Sequence, residues 1–360
     1  MANPSGPGFP GGGNTFIPID ISNRLRIGFS RDASKFHLPR YVQYVEVPKS
    51  EGYYLKLTAQ EAGRVVDTQD FVWPDGTPDR LDASGTESFT FLPFITQRYR
   101  YGFRLGQRAV AQSVWPIVEQ HAAIKSAQLM TARTVRVLTA ATTVSNWQQV
   151  NDSQNLSADH TNTATAIGGG LFDSGSSTSP YLKNGLDDIA HLINRDTLGT
   201  VDSSPGRYYV IMNPNTARQI ASSPEIHDYL KGSYWVMQEL TTGQSRNGRY
   251  GLPDSLYGYA IIVENAVRVT TRRGNTQTRT YAMPDQTILV CSRPGELDGI
   301  YGAPSFSTLS LFWFQDEMTV ETQSSEWDRL VEGRVIEDTY EAVTCPASGY
   351  LITSATATPN

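Results

Sequence analysis

One run of residues limits this chain more than any other: PIVEQHAAIKSAQLMTARTVRVL, positions 116–138. Pro116 suits the first turn of a helix, where a missing N–H costs nothing. The alanines, Gln, Leu and Met that follow have good helix propensity. Ile117, His121, Ile124, Ala127, Thr131, Val135 and Leu138 recur at helical spacing, so the segment predicts one long amphipathic helix. At 1.5 Å per residue it would run about 35 Å, longer than most globular helices. His121 lies on the stripe and reads as a packed core or interface histidine. Whatever else the chain builds must be arranged along this rod.

The pattern changes on both sides of it. Residues 1–14 (MANPSGPGFPGGGN) are glycine- and proline-rich and hold nothing that could pack, which predicts a flexible arm. Residues 15–40 regain apolar content without a period and need another surface to lie on. From Tyr41 the reading is strand-like. YVQYVEV (41–47) alternates, PKSEG turns, GYYLKLTA (52–59) returns, RVVDTQDFVW (64–73) follows, and SFTFLPFITQRYRYGFRL (88–105) is aromatic and alternating. This block has strands but no core of its own, as expected of a projecting β-hairpin arm.

After the helix, residues 139–180 are rich in Thr, Ser, Asn and Gly and predict a surface loop or local disorder, with Trp147 as its anchor. Residues 181–301 predict a compact α/β unit. LKNGLDDIAHLINRD (182–196) places Leu182, Leu186, Ile189 and Ile193 on one helical face. RYYVIMN (207–213), YGYAIIVENA (257–266) and QTILVC (286–291) read as buried strands, and Asn213-Pro214 as an N-cap followed by N1. The stretch 305–352 is strand-like again.

Composition excludes several classes. At 360 residues the chain can bury a full core, and two cysteines, Cys291 and Cys345, make no disulfide framework. They are expected as buried thiols. A net charge of −6 is not that of a dedicated nucleic-acid binder. No run approaches a membrane span, and the N-terminus lacks the parts of a signal peptide, so a cytoplasmic origin is expected. Phosphate loops, dinucleotide fingerprints, HExxH and GxSxG are missing from the sequence, and its five histidines have no metal-ligand spacing. No catalytic residue, cofactor or metal is expected. Asp187-Asp188 and Glu337-Asp338 read as solvated carboxylates.

Charge is segregated. Thr96–Leu138 holds seven basic residues and one acid, Glu119, whereas Asp316–Glu341 holds nine acids and two arginines. Complementary surfaces within or between subunits would follow. The expected contacts are Arg98, Arg100, Arg104 and Arg108 on one side and Glu332, Glu337, Asp338 and Glu341 on the other. Only six of thirty basic residues are lysine, and arginine's planar fork suits protein interfaces.

The order of parts resembles the major capsid proteins of tailed bacteriophages, the Hong Kong phage-type fold shared with encapsulin shells. The stretches that carry the likeness are the proline-led helix 116–138, SPYLKNGLDDIAHLI (179–193), YYVIMNPNTARQI, SSPEIHDYLKG and RYGLPDSLYGYAIIVENAV (249–267), in that order. The resemblance spans about residues 40–350. It implies an α+β fold with an N-terminal arm (1–40) and an extended β-hairpin loop (41–95). It also implies a peripheral domain (96–144 with 305–360) carrying the spine helix, and an axial domain (145–304) that includes a flexible loop at 145–180.

The implied function is self-assembly into hexamers and pentamers of an icosahedral virion shell, built in the host cytoplasm. The implied partners are further copies of the chain, a portal protein, scaffolding and cement or decoration proteins, and packaged double-stranded DNA held non-specifically, with no membrane. An encapsulin-type compartment, a tail or decoration protein, and an enzyme built on 181–301 are the competing readings. One branch of the family cross-links a hairpin-arm lysine to a late asparagine. Lys49 or Lys56 could supply the first half, but no asparagine lies between Asn275 and Asn360.

Overall fold

The computed structural model describes residues 36–59, 61, 91–113, 116–147, 160–201, 208–232, 237–238, 240, 245, 247–269, 271, 276–292, 306–325, 327 and 329–357. Positions 1–35 of the expected N-terminal arm, RVVDTQDFVW and positions 148–159 fall outside these.

Two sheets and one long helix organise the chain. The first sheet has five strands: β1 (Val42–Glu46), β4 (Gln97–Gly106), β12 (Leu309–Trp313), β13 (Thr319–Ser325) and β14 (Leu330–Val343). The 14-residue β14 is its axis. It pairs antiparallel with β4 over positions 330–339, with β13 over 330–336 and with β12 over 339–343.

The second sheet has six strands in the order β5 (Thr161–Thr163), β15 (Gly349–Thr353), β11 (Ile288–Ser292), β6 (Tyr208–Met212), β8 (Tyr259–Val263) and β7 (Ser255–Leu256). Two small ribbons stand apart: β2 (Glu51–Leu55) with β3 (Phe91–Ile95), and β9 (Val267–Val269) with β10 (Arg279–Tyr281). The helices are α1 (Leu38–Tyr41), α2 (Gln107–Gln112), α3 (Ile117–Thr142), α4 (Ala164–Gly168), α5 (Tyr181–Asp196), α6 (Pro214–Ala221) and α7 (Pro224–Gly232).

The second sheet is buried on both faces, and its strands are accordingly continuous apolar runs rather than alternating ones. Val210, Met212, Ile261, Val263, Ile288 and Val290 face Leu186, Ile189 and Ile193 of α5 and Ile220 of α6. The opposite face, with Ile211, Ile262, Leu289 and Leu351, meets Val137, Leu138 and Ala141 of α3 together with Trp147, Leu309 and Leu311. The second half of α3 is therefore wedged between the two sheets. Asn213 caps α6 as its position predicts, with its side chain accepting the Thr216 N–H at 2.8 Å.

The structure corrects several expectations. The α3 helix starts at Ile117, with Pro116 as its cap, and runs on to Thr142. Of the expected stripe only Ala127 and Leu138 are buried, because the buried face also takes in Arg133 and Thr134. Those two polar groups are satisfied by Glu337 and by the Met130 carbonyl. PKSEG does not fold YVQYVEV back onto the next strand. Instead β1 lies parallel to β12, since its buried residues Val42 and Gln43 are covered by that sheet. The last strand, β15, belongs to the second sheet rather than to the sheet of its neighbours in sequence.

Within the expected loop, Val144–Trp147 forms a short helical turn, and positions 160–180, though largely at the surface, are anchored by buried His160, Ala164, Gly168, Phe172 and Gly175. Phe172 is fully buried, and so is His160, which lies between the Gly349 carbonyl and the Asp196 carboxylate.

Candidate functional site

The alternation of β14 carries its charges to two faces. Glu332 and Asp338 share one face, where β4 places Arg104 and Arg98 directly opposite them. Arg104 reaches Glu332 at 2.7 Å, and Arg98 lies 3.6 Å from Asp338 and 3.8 Å from Asp316. Glu337 and Glu341 share the other face, beneath α3.

Arg133 and Arg136, three residues apart on one side of α3, come down onto that second face. Glu337 is wholly buried between them. It accepts from Arg133 at 2.7 Å and from Arg136, while Arg136 Nε also donates to Glu341 at 2.9 Å. Arg133 donates as well to the Glu317 backbone carbonyl. The Arg136 guanidinium lies 3.7 Å from the centre of the Tyr99 ring.

Burial alone would make both guanidiniums easier to deprotonate. The carboxylates outweigh it and hold Arg133 and Arg136 above the ordinary arginine value. Burial raises the Tyr99 hydroxyl, and the neighbouring Glu341 adds to the rise. The seam is thus a permanently charged clamp that fixes α3 to the first sheet.

Six of the eight residues expected to make charge contacts meet here, all within one chain: Arg98, Arg104, Glu332, Glu337, Asp338 and Glu341. Arg100 and Arg108 are exposed and have no ion-pair partner among the described residues. Arg133, Arg136, Asp316 and Glu321, the last paired with Arg334 at 2.6 Å, were not in the expected set. Two arginines three apart on a helix, facing acids four apart on a strand, were the signal available for the clamp.

The β2–β3 ribbon offers a different kind of surface. Its inner face stacks Phe94 on Phe312 at 5.1 Å and sets Tyr54 against the same ring. Its outer face presents Tyr53, Phe91 and Ile95, which are 73%, 57% and 63% exposed. The register puts Tyr53 opposite Pro93 and Leu55 opposite Phe91, so these side chains form one apolar strip. Among the described residues no cluster of His, Cys, Asp and Glu is placed to hold a metal ion, and no helix is long and apolar enough to cross a membrane. Cys291 and Cys345 are free and buried, and burial pushes the Cys345 thiol up to about 11.

No protein-family model and no curated protein matches the sequence. Solved structures do match. A phage-related protein from Bordetella bronchiseptica superposes with a TM-score of 0.60 at 13% identity, over 94% of this chain and 98% of that one. The mature capsid of bacteriophage PhiM1 gives 0.51 at 12% identity, over 90% and 88%. The fold is therefore the Hong Kong phage-type capsid fold, of mixed helix and strand.

Proposed function

We propose that this chain, with a fold it shares with a phage capsid, is a major capsid protein that closes into hexamers and pentamers of an icosahedral shell around double-stranded DNA. The observation that carries the reading is the outer strip of the β2–β3 ribbon. A two-stranded ribbon is at best marginal in water. This one also leaves Tyr53, Phe91 and Ile95 exposed together. A surface of that kind calls for a neighbouring subunit. Identical subunits that cover one another heterologously close into rings, and many modest contacts add up through multivalency.

On this reading the first sheet with α3 is the peripheral domain and the second sheet with α4–α7 is the axial one. The shell is the virion's, assembled in the host cytoplasm. Portal, scaffolding and cement proteins are its further partners, and no reaction is catalysed. Negative-stain imaging of the expressed full chain tests this: rings of five and six and closed shells are expected. Nuclease-resistant DNA inside particles from infected or lysogenic cells supports the phage reading. Shells filled with protein cargo would instead make it an encapsulin-type compartment, and a chain that stays monomeric at high concentration would overturn both.

The shell is expected to hold together without the lysine–asparagine links of that family branch, because segment 305–352 contains no asparagine. Particles boiled in detergent should run as one band near 39.7 kDa. A ladder of multimers would refute this.

A further inference from the structure

The tight turn between β13 and β14 carries Trp327, which is 98% exposed. Tryptophan is the side chain most enriched at the energetic centres of protein interfaces, and few are left bare without use. Around the far end of β13, a shallow cavity of about 270 Å³ opens between Leu38 and Pro39 of α1, Tyr44 of β1, Met130 of α3, and Met318. We propose that Trp327 of one copy of this chain inserts into this cavity of a second copy, a contact that rests on the shell reading above.

The chemistry of the cavity suits an indole. Its walls are apolar, and two methionines supply sulfur, which packs well against aromatic edges. Arg133 lines it and gives a cation for the ring face. Glu317, half-exposed at the rim, can accept from the indole N–H. Glu326 and Asp328 flank Trp327 in sequence, and Arg40, next to Pro39, is exposed. The two acids that flank Trp327 are thus opposite in sign to Arg40 and Arg133 at the socket, where Glu317 is the one acid among the lining residues.

Trp327 cannot reach the socket of its own chain. Met318 and Trp327 stand at opposite ends of β13, which is held straight by seven pairs to β14. At about 3.3 Å per residue the tip is roughly 20 Å or more from the cavity. Plug and socket lie on different surfaces, so the contact is heterologous and suited to closing a ring.

Two single variants of the full chain test it: Trp327→Cys and Met318→Cys, purified separately under reducing conditions, then co-assembled and oxidised. Cys291 and Cys345 are fully buried and do not compete. A disulfide-linked dimer is expected from the mixture and from neither variant alone. Normal particles without that dimer, or a dimer from Trp327→Cys alone, would overturn the proposal. Independently, Trp327→Ala should raise the protein concentration at half-assembly about tenfold or more, as loss of an interface anchor does, and Trp327→Phe should restore most of it. Assembly of Trp327→Ala at the wild-type concentration also refutes the contact. A wild-type chain that forms no shells, yet gives the mixed dimer, would remove the shell reading and leave this contact standing.

Discussion

Glu337 shows what a single buried charge demands. Its carboxylate is out of water and survives only because two guanidiniums replace the lost hydration. Removing Arg133 leaves that charge half-compensated, so Arg133→Ala should lower unfolding stability by about 3–5 kcal/mol in urea titration. The double variant Arg133→Met with Glu337→Leu should lose clearly less, since both charges leave together. Equal losses would show that the pair acts only through packing. Asp196 offers a pH test. Burial raises its pKa, but hydrogen bonds from His160 and Arg195 outweigh burial and hold it below its ordinary value of 3.8. A depressed carboxylate contributes stability that is complete above its unfolded pKa and disappears as pH falls through the folded one. The gap in urea midpoint between wild type and Asp196→Asn should therefore be constant near neutrality and shrink below about pH 4. A gap that persists unchanged at low pH would count against it.

At the scale of elements, β14 makes room for a neighbour by omission. A Cβ on Gly333 would stand 2.2 Å from the Phe103 ring, which lies across the strand at that point. Gly333→Ala should cost about 1–3 kcal/mol as an overpacked site, read as a lowered melting temperature. Phe103→Leu in the same chain should recover part of it. Elements whose burial is purely apolar were legible in the sequence. β6, β8 and β11 stand where YYVIM, YAIIV and ILVC run unbroken, and α5 buries the face its leucines and isoleucines mark. What could not be read had polar or absent side chains at the contact. The buried face of α3 includes an arginine and a threonine, which a hydrophobic stripe passes over. Segment 160–180 looked like loose loop because it is rich in glycine and serine. In fact Gly168 within it and Gly185 on α5 let backbone and Phe172 approach: a Cβ on Gly168 would meet the Tyr181 carbonyl at 2.3 Å. The clamp was half legible, since segregated charge pointed to it but not to which arginines would be buried.

For the whole molecule, positions 1–14 hold nothing that could pack and 15–40 have no apolar period with which to build a core. A chain lacking residues 1–35 should therefore keep wild-type circular dichroism and a cooperative melt while failing to form stable shells. Robust shells from the truncated chain would discard the arm's role. The position of β15 has a further consequence, for timing. It is the strand between β5 and β11, and its Leu351 also joins the junction of the two sheets. Until position 353 has emerged from the ribosome, β5 has no partner and one edge of β11 is open. From β6 to β15 the ribosome must add some 140 residues, roughly 7–30 s of elongation at ordinary rates. An open edge is a template for stray pairing, and the nearest stray strands on a polysome belong to identical nascent chains. The chain is thus most exposed to its own copies while it is still being made, and the strand that ends this exposure is translated long after the strands it protects.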